Sequence, residues 1–106
     1  MCGIAGLVQL DKNNFFENKS IFELMDSRGP DDKGFFEKKN LNYKIQLFHS
    51  RLRIIDDNRR SNQPYRFKNY VMIYNGELYN YKDVRNKLKK FNYKFSTSGD
   101  TEVFMK

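Results

Sequence analysis

The only cysteine of this chain, Cys2, is the second of 106 residues. Removal of Met1 would give Cys2 a free α-amine beside its thiol, and a small residue at the second position permits that removal. The usual pKa values are ~8.5 for a thiol and ~7.7–8.0 for an α-amine, so both groups are partly active at neutral pH. The amine can accept the thiol proton, directly or through a water, as in N-terminal nucleophile catalysis. The alternative is a small buried cysteine at the start of a strand.

Three further stretches combine residue types that could do chemistry, and each also has a purely structural interpretation. The stretches are Arg28-Gly29-Pro30-Asp31, His49-Ser50-Arg51-Leu52-Arg53-Ile54, and Tyr74-Asn75-Gly76-Glu77-Leu78-Tyr79-Asn80-Tyr81 followed by Ser98-Gly99-Asp100-Thr101-Glu102. Structurally, Gly29-Pro30 is typical of a helix stop and turn, and Asn75-Gly76 is typical of a type I′ hairpin turn. Asp100 is a suitable helix N-cap, and Arg51 with Arg53 would suit a solvated strand edge.

Together with the run Cys2-Gly3-Ile4-Ala5-Gly6, and in this order, these stretches resemble the class II glutamine amidotransferases. Within that class they are most similar to the glutaminase domain of asparagine synthetases. The resemblance extends over nearly the whole chain and covers the first half of the family's glutaminase domain. Residues 1–106 are therefore predicted to be a partial class II glutamine amidotransferase domain, a fragment that lacks the rest of the domain and the family's synthetase domain.

The resemblance implies a catalytic role for three residues. Cys2 would attack the side-chain amide of glutamine and form a thioester, releasing ammonia, and water would then release glutamate. The oxyanion hole of the family corresponds to the side-chain amide of Asn75 and the backbone N–H of Gly76. Such donors stabilise the negative charge that develops on the amide oxygen.

The same resemblance implies a binding site for the α-amino acid end of glutamine. Arg51 would bind the α-carboxylate, since a guanidinium fork suits a carboxylate. Asp100 would bind the α-ammonium group, with Glu77 nearby in the same pocket. The remaining lining residues would contribute largely through their backbone, and they are Leu52, Ile54 and Gly99.

The resemblance implies no cofactor for this segment. It implies a partner in the same chain, the synthetase domain, which would bind ATP and Mg²⁺ and amidate aspartate. It is compatible with a homodimer. Two alternatives stay open: a glutaminase domain that serves another acceptor, and an inactive fragment. A third is a papain-like hydrolase that pairs Cys2 with His49, which we otherwise expect to be a hydrogen-bonded structural histidine.

Composition narrows the other classes of function. The formal net charge is +7, but the basic residues are scattered, so we expect no nucleic-acid partner, and a basic binding module is a weaker alternative. A single cysteine and a single histidine argue against a metal site. No apolar run reaches the ~18 residues of a membrane helix, and the N-terminus is unlike a signal peptide. We therefore expect a cytoplasmic protein without a membrane partner.

The periodicity and the alternation of strands and helices predict an α+β or α/β domain that could position these residues. The predicted strands are 3–10, 34–38, 43–49, 70–74 and 93–95; the predicted helices are 21–27, one starting at 81 and one starting near 101; polar turns or loops are predicted at 11–14, 56–64 and 96–100. Ser20 and Glu23 form a capping-box pattern for the first helix. The architecture that the family implies is the four-layer αββα sandwich of N-terminal-nucleophile hydrolases, with only its first part present.

Overall fold

The computed structural model describes residues 1–10, 18–54 and 59–106. The turn predicted at 11–14, and residues 55–58 with the first part of the loop predicted at 56–64, lie outside the described residues. The elements in chain order are β1 (Gly3–Gln9), α1 (Asn18–Met25), β2 (Asp32–Lys39), β3 (Lys44–Arg51), a 3₁₀ turn (Arg59–Ser61), β4 (Tyr65–Phe67), β5 (Tyr70–Met72), α2 (Tyr81–Lys90) and α3 (Asp100–Met105).

Strands β1, β2 and β3 form an antiparallel sheet with the order β1-β3-β2. The central strand, β3, is the most deeply buried, and it contains the fully buried Phe48. The prediction of a buried first strand was wrong for one face of β1. Ile4 is 46% exposed and Val8 is 64% exposed, because the face of β1 that carries them is not covered by other described residues.

The hairpin between β2 and β3 turns at Asn40. Its side-chain Oδ1 accepts hydrogen bonds from the backbone N–H groups of Asn42 (2.8 Å) and Tyr43 (2.9 Å). An asparagine side chain that mimics a backbone turn in this way stabilises the reversal. The two predicted strands are thereby confirmed as a pair, with Lys39 opposite Lys44.

Helix α1 packs on one face of this sheet. Phe22 meets Phe48 edge-to-face at 5.6 Å between ring centroids, and Met25 packs over Gly3. The predicted capping box was wrong, because the helix begins at Asn18 and Ser20 is its third residue. The helix ends at Met25, two residues earlier than predicted, in a turn closed by the hydrogen bond from Arg28 N to Met25 O (3.0 Å).

The opposite face of the sheet lies against the segment that leads into the hairpin of β4 and β5. The backbone carbonyl of Gln63 approaches Gly34 so closely that no Cβ would fit there. Arg66 of β4 lies over the Phe36 ring, 4.9 Å from its centroid. The three-stranded sheet therefore has helix α1 on one face and the second, antiparallel pair of strands on the other.

Helix α2 begins at Tyr81, as predicted, but the strand predicted at 93–95 was wrong. The backbone N–H groups of Phe91 and Tyr93 bond to Leu88 O, at 3.0 and 3.2 Å, and so cap the end of α2. Asn92 has a φ of 66°, the left-handed conformation that often ends a helix. These groups are used by the helix end and are not available to a sheet.

The predicted α+β class is confirmed as a mixed α/β chain with antiparallel sheets. Helix α3 contacts both β4 and α2, so the end of the chain closes over the second strand pair. None of the helices in the described ranges has the length and apolar character that crossing a membrane requires.

Candidate active site

A cavity of about 280 Å³ opens at the N-terminus of the chain. All nine residues singled out for catalysis or substrate binding line it, and they are Cys2, Arg51, Leu52, Ile54, Asn75, Gly76, Glu77, Gly99 and Asp100. They come from four separate stretches of the sequence. The volume suits a small ligand, because most pockets for larger organic ligands exceed ~300 Å³.

Six further lining residues were not assigned a role from the sequence, and they are Met1, Ser61, Gln63, Tyr74, Tyr79 and Thr101. Tyr74, Tyr79 and Thr101 lie inside the motif stretches, so their proximity to the assigned residues was a usable signal. Ser61 and Gln63 belong to a segment interpreted as a polar loop, and no local pattern marks them.

The Cys2 thiol is held against the backbone of Leu52. The Leu52 N–H donates to Sγ (3.4 Å), and Sγ is 3.7 Å from Leu52 O. Met1, which precedes Cys2, is 71% exposed and is one of the residues that line the cavity. Removal of Met1 would therefore leave the α-amine of Cys2 at the cavity, next to the thiol.

The Arg28–Asp31 turn supports both Cys2 and the end of β3. Arg28 Nε donates to Cys2 O (3.4 Å). Asp31 N donates to Arg51 O (3.0 Å), and the carboxylate of Asp31 accepts from Arg53 N (2.8 Å). Gly29 lies against the backbone carbonyl of Ser50 with no room for a Cβ. The turn is therefore more than a helix stop, since it joins two parts of the cavity wall.

Arg51, the last residue of β3, is buried, and its Nη1 donates to the side-chain oxygen of Asn62 (2.5 Å). The next arginine, Arg53, pairs with Asp32 at 2.7 Å. That hydrogen bond is the main cause of the lowered pKa of Asp32. The interpretation of Arg51 as a solvated edge residue was wrong, because Arg51 is buried and is one of the residues that line the cavity.

Asn75 and Gly76 follow a backbone segment that Gln63 holds firmly. Tyr74 N donates to Gln63 Oε1 (2.5 Å), and Gln63 Nε2 donates to Tyr74 O (3.1 Å). The hairpin-turn interpretation was wrong, because a type I′ turn needs positive φ and no described glycine has one. A Cβ on Gly76 would lie 2.7 Å from the Tyr74 hydroxyl, so the Tyr74 side chain leaves no room for a side chain at position 76.

Asp100 is buried at the start of α3, with Gly99 as the N-cap residue. Its carboxylate accepts a hydrogen bond from Leu78 N (2.9 Å), far away in the sequence, so the N-cap interpretation was wrong. Burial, and then the negative charges of Asp100 and Glu77, raise the pKa of Tyr74. The residues that line the cavity thus include two acidic residues, Glu77 and Asp100, and the basic Arg51, as a zwitterionic ligand requires.

His49 lies on the face of β3 that carries Arg51, opposite Ile4, and it is not among the residues that line the cavity. Burial lowers its pKa, a backbone hydrogen bond with Tyr74 opposes that effect, and the charge of Arg51 lowers the pKa further. The imidazole is therefore neutral at pH 7. The bond with Tyr74 agrees with the predicted structural role and argues against a catalytic pair with Cys2.

Glu102 holds the loop that precedes Asp100. Its buried carboxylate accepts the backbone N–H groups of Ser96 (3.0 Å) and Thr97 (2.7 Å), the Thr97 hydroxyl (2.7 Å) and Lys106 Nζ (2.7 Å). Burial alone would raise the pKa of Glu102, but the bonds from Lys106, Thr97 and Ser96 outweigh it. They lower the pKa from 4.5 to about 2.

Glu102→Gln is expected to destabilise the protein by about 3 kcal/mol at pH 7, because the lowered pKa measures how strongly the fold favours the ionised carboxylate. This contribution is fully present above the unfolded pKa and disappears as the pH falls from 4.5 towards 2. Urea unfolding at both ends of that range checks it, with Glu23→Gln as the exposed control. A stability difference that does not change with pH contradicts the expectation.

Comparison with protein families matches residues 1–106 to the glutamine amidotransferase domain. A putative asparagine synthetase (glutamine-hydrolyzing) 2 of Methanocaldococcus jannaschii is 33% identical over 123 residues, with 100% of this chain and 23% of the relative covered. Asparagine synthetase (glutamine-hydrolyzing) 3 of Bacillus subtilis is 34% identical, with 99% of this chain and 17% of the relative covered. Asparagine synthetase B (glutamine-hydrolyzing) of Escherichia coli is 33% identical, with 99% of this chain and 19% of the relative covered. No solved structure matches the chain.

Proposed function

Because the chain belongs to the glutamine amidotransferase domain family and is homologous to the glutaminase part of asparagine synthetases, we propose that it releases ammonia from glutamine for a synthetase domain of the same protein. The observation that carries this proposal is that Cys2, Arg51, Asn75, Gly76 and Asp100 line one and the same cavity. The chain spans only 17% to 23% of the length of the relatives described above.

In the proposed reaction, loss of Met1 makes the α-amine of Cys2 the base that takes the thiol proton. The sulfur bonds to the side-chain carbonyl carbon of glutamine, and the C–N bond breaks as the nitrogen takes a proton and leaves as ammonia. Water then attacks the thioester, which gives glutamate and restores the thiol. The Leu52 N–H, 3.4 Å from Sγ, supports this assignment, because a donor there stabilises a developing thiolate.

The oxyanion of both steps is proposed to accept hydrogen bonds from the Asn75 amide and the Gly76 N–H. Gln63 supports this role, because its two bonds to Tyr74 fix the backbone just before the pair. A donor that is fixed before the reaction needs no reorganisation when the charge develops. The packing of Gly76 against Tyr74 limits movement of the same segment.

Glutamine is the proposed substrate because its backbone end is a zwitterion. Arg51 would bind the α-carboxylate through its planar fork, and Asp100 would bind the α-ammonium group, with Glu77 beside it. Leu52, Ile54 and Gly99 would complete the wall. The buried positions of Arg51 and Asp100 support these roles, since charge pairs are stronger where water is excluded.

The complete protein is proposed to be a glutamine-hydrolysing asparagine synthetase. Its glutaminase domain would be a four-layer sandwich, to which the packing of α1 and of the second strand pair on opposite faces of the first sheet lends support. ATP and Mg²⁺ would bind in the synthetase domain, outside residues 1–106, and activate aspartate there. The homodimer and the cytoplasmic location stay predictions.

The full-length protein is expected to convert glutamine to glutamate and ammonia, and its mature N-terminus is expected to be Cys2. Intact mass and coupled assays of glutamate and asparagine test both points. Full activity in protein that retains Met1 would contradict the N-terminal nucleophile mechanism. Glutamine hydrolysis without aspartate amidation would favour a related amidotransferase with another acceptor.

A further inference from the structure

Helix α2 contributes one arginine to the loop that carries Asp100. Arg85 Nη1 donates to Thr97 O (2.6 Å), and its Nη2 donates to Gly99 O (2.6 Å). Two bonds from one rigid group fix both the distance and the orientation of the loop. Gly99 lines the cavity and directly precedes Asp100, so the loop geometry determines where the Asp100 carboxylate lies.

The guanidinium of Arg85 is itself held in place. It lies over the ring of Phe95, 4.7 Å from the centroid, and near the ring of Tyr81 at 5.9 Å. Stacking on an aromatic face and bidentate donation are both properties of a guanidinium that an ammonium group does not reproduce. A lysine at this position would keep the charge and lose the fork.

The loop is bound on its other side by Glu102, which accepts the N–H groups of Ser96 and Thr97. Arg85 therefore holds the carbonyl side and Glu102 holds the amide side of the same short segment. Glu102 keeps the loop folded, whereas Arg85 bonds to the residue next to Asp100. The effects of changing Arg85 and Glu102 should differ, since the Arg85 side chain bonds to Gly99 of the cavity wall, whereas the Glu102 side chain bonds to Ser96, Thr97 and Lys106, which are not among the lining residues.

We propose that Arg85 is a positioning residue that sets the Asp100 carboxylate for the α-ammonium group of glutamine. This inference rests on the proposed function. It assigns Arg85 no contact with the substrate, because its donors are directed at loop carbonyls. The consequence is specific: loss of Arg85 should weaken binding of ligands that carry an α-ammonium group and spare similar ligands that lack it.

The test compares Arg85→Lys and Arg85→Ala with the wild type in the full-length protein. We expect the KM for glutamine to rise about tenfold or more with kcat nearly unchanged, because the lost contact is equal in ground and transition states. The inhibition constant of L-glutamate should rise with it. That of glutarate, which has both carboxylates and no ammonium group, should stay within about twofold.

Lys89→Ala, an exposed change on the same helix, is the matched control and should alter none of these constants. A wild type that does not hydrolyse glutamine overturns the proposed function and this inference together. An active wild type whose Arg85→Lys variant binds glutamate normally, or binds glutamate and glutarate equally poorly, overturns the inference alone. Arg85→Lys keeps the charge, so the comparison holds even where Arg85→Ala fails to fold.

Discussion

Cys2→Ala in the full-length protein is expected to abolish glutamine hydrolysis and to leave asparagine synthesis from added ammonia intact. The variant lacks the atom that forms the thioester, and removing a nucleophile costs on the order of 10⁴-fold or more in kcat. The methyl group of alanine leaves the Leu52 backbone and the cavity wall in place. The measurement is asparagine formation with glutamine or with ammonium chloride as the nitrogen source.

A second variant separates the thiol from the amine. One serine inserted between Met1 and Cys2 keeps the thiol but moves the α-amine to another residue, and glutamine hydrolysis should fall to the level of Cys2→Ala. Activity near the wild-type value would show that the α-amine is not the base, and it would favour the alternative mechanism in which Cys2 pairs with His49. Loss of ammonia-dependent synthesis in folded Cys2→Ala would overturn the proposed division between two domains.

The residues of the candidate site could be selected from the sequence because they lie in short local motifs. Cys2, Arg51, Asn75 and Asp100 were singled out by residue type and by their resemblance to one family, and they line one cavity. Secondary structure was predictable where the period was strong, as in the pairing of β2 and β3 and in the start of α2 at Tyr81. These features depend on neighbours within a few residues.

Two errors at the cavity share one cause, which is that distant contacts outweighed local preference. Asn75-Gly76 has the composition of a hairpin turn, but Gln63 bonds to Tyr74 and holds the preceding backbone in place. Asp100 has the composition of an N-cap, but its carboxylate bonds to Leu78 N. In both cases the partner is more than ten residues away, so a local pattern contains no information about it.

The same reason explains why the supporting residues were missed. Gln63 and Arg85 act through bonds to backbone atoms of other segments, at Tyr74 and Gly99. A side chain that bonds to a carbonyl or an N–H leaves no mark on the sequence of its partner. Candidate ligand-binding residues can be predicted from their residue types, whereas the residues that position them can be identified only from the folded structure.

Asn75→Ala is expected to lower kcat for glutamine hydrolysis by about 10²- to 10³-fold, the usual cost of losing one oxyanion-hole donor. KM should change little, because the bond strengthens only as negative charge develops on the substrate oxygen. Steady-state kinetics of glutamate release measures both constants. Asn75→Asp should lose at least as much, since a carboxylate of nearly the same shape repels the oxyanion that the amide stabilises.

The matched control is Asn80→Ala, five residues along the same segment. Asn80 is exposed, and its side chain makes no capping bond to α2, so this change should leave both kinetic constants at their wild-type values. A rise in KM with unchanged kcat for Asn75→Ala would move that residue from transition-state stabilisation to substrate binding. In that case the Gly76 N–H would have to stabilise the oxyanion without the Asn75 amide. The hydrogen bonds between Gln63 and Tyr74 would then contribute to catalysis only by fixing the position of Gly76.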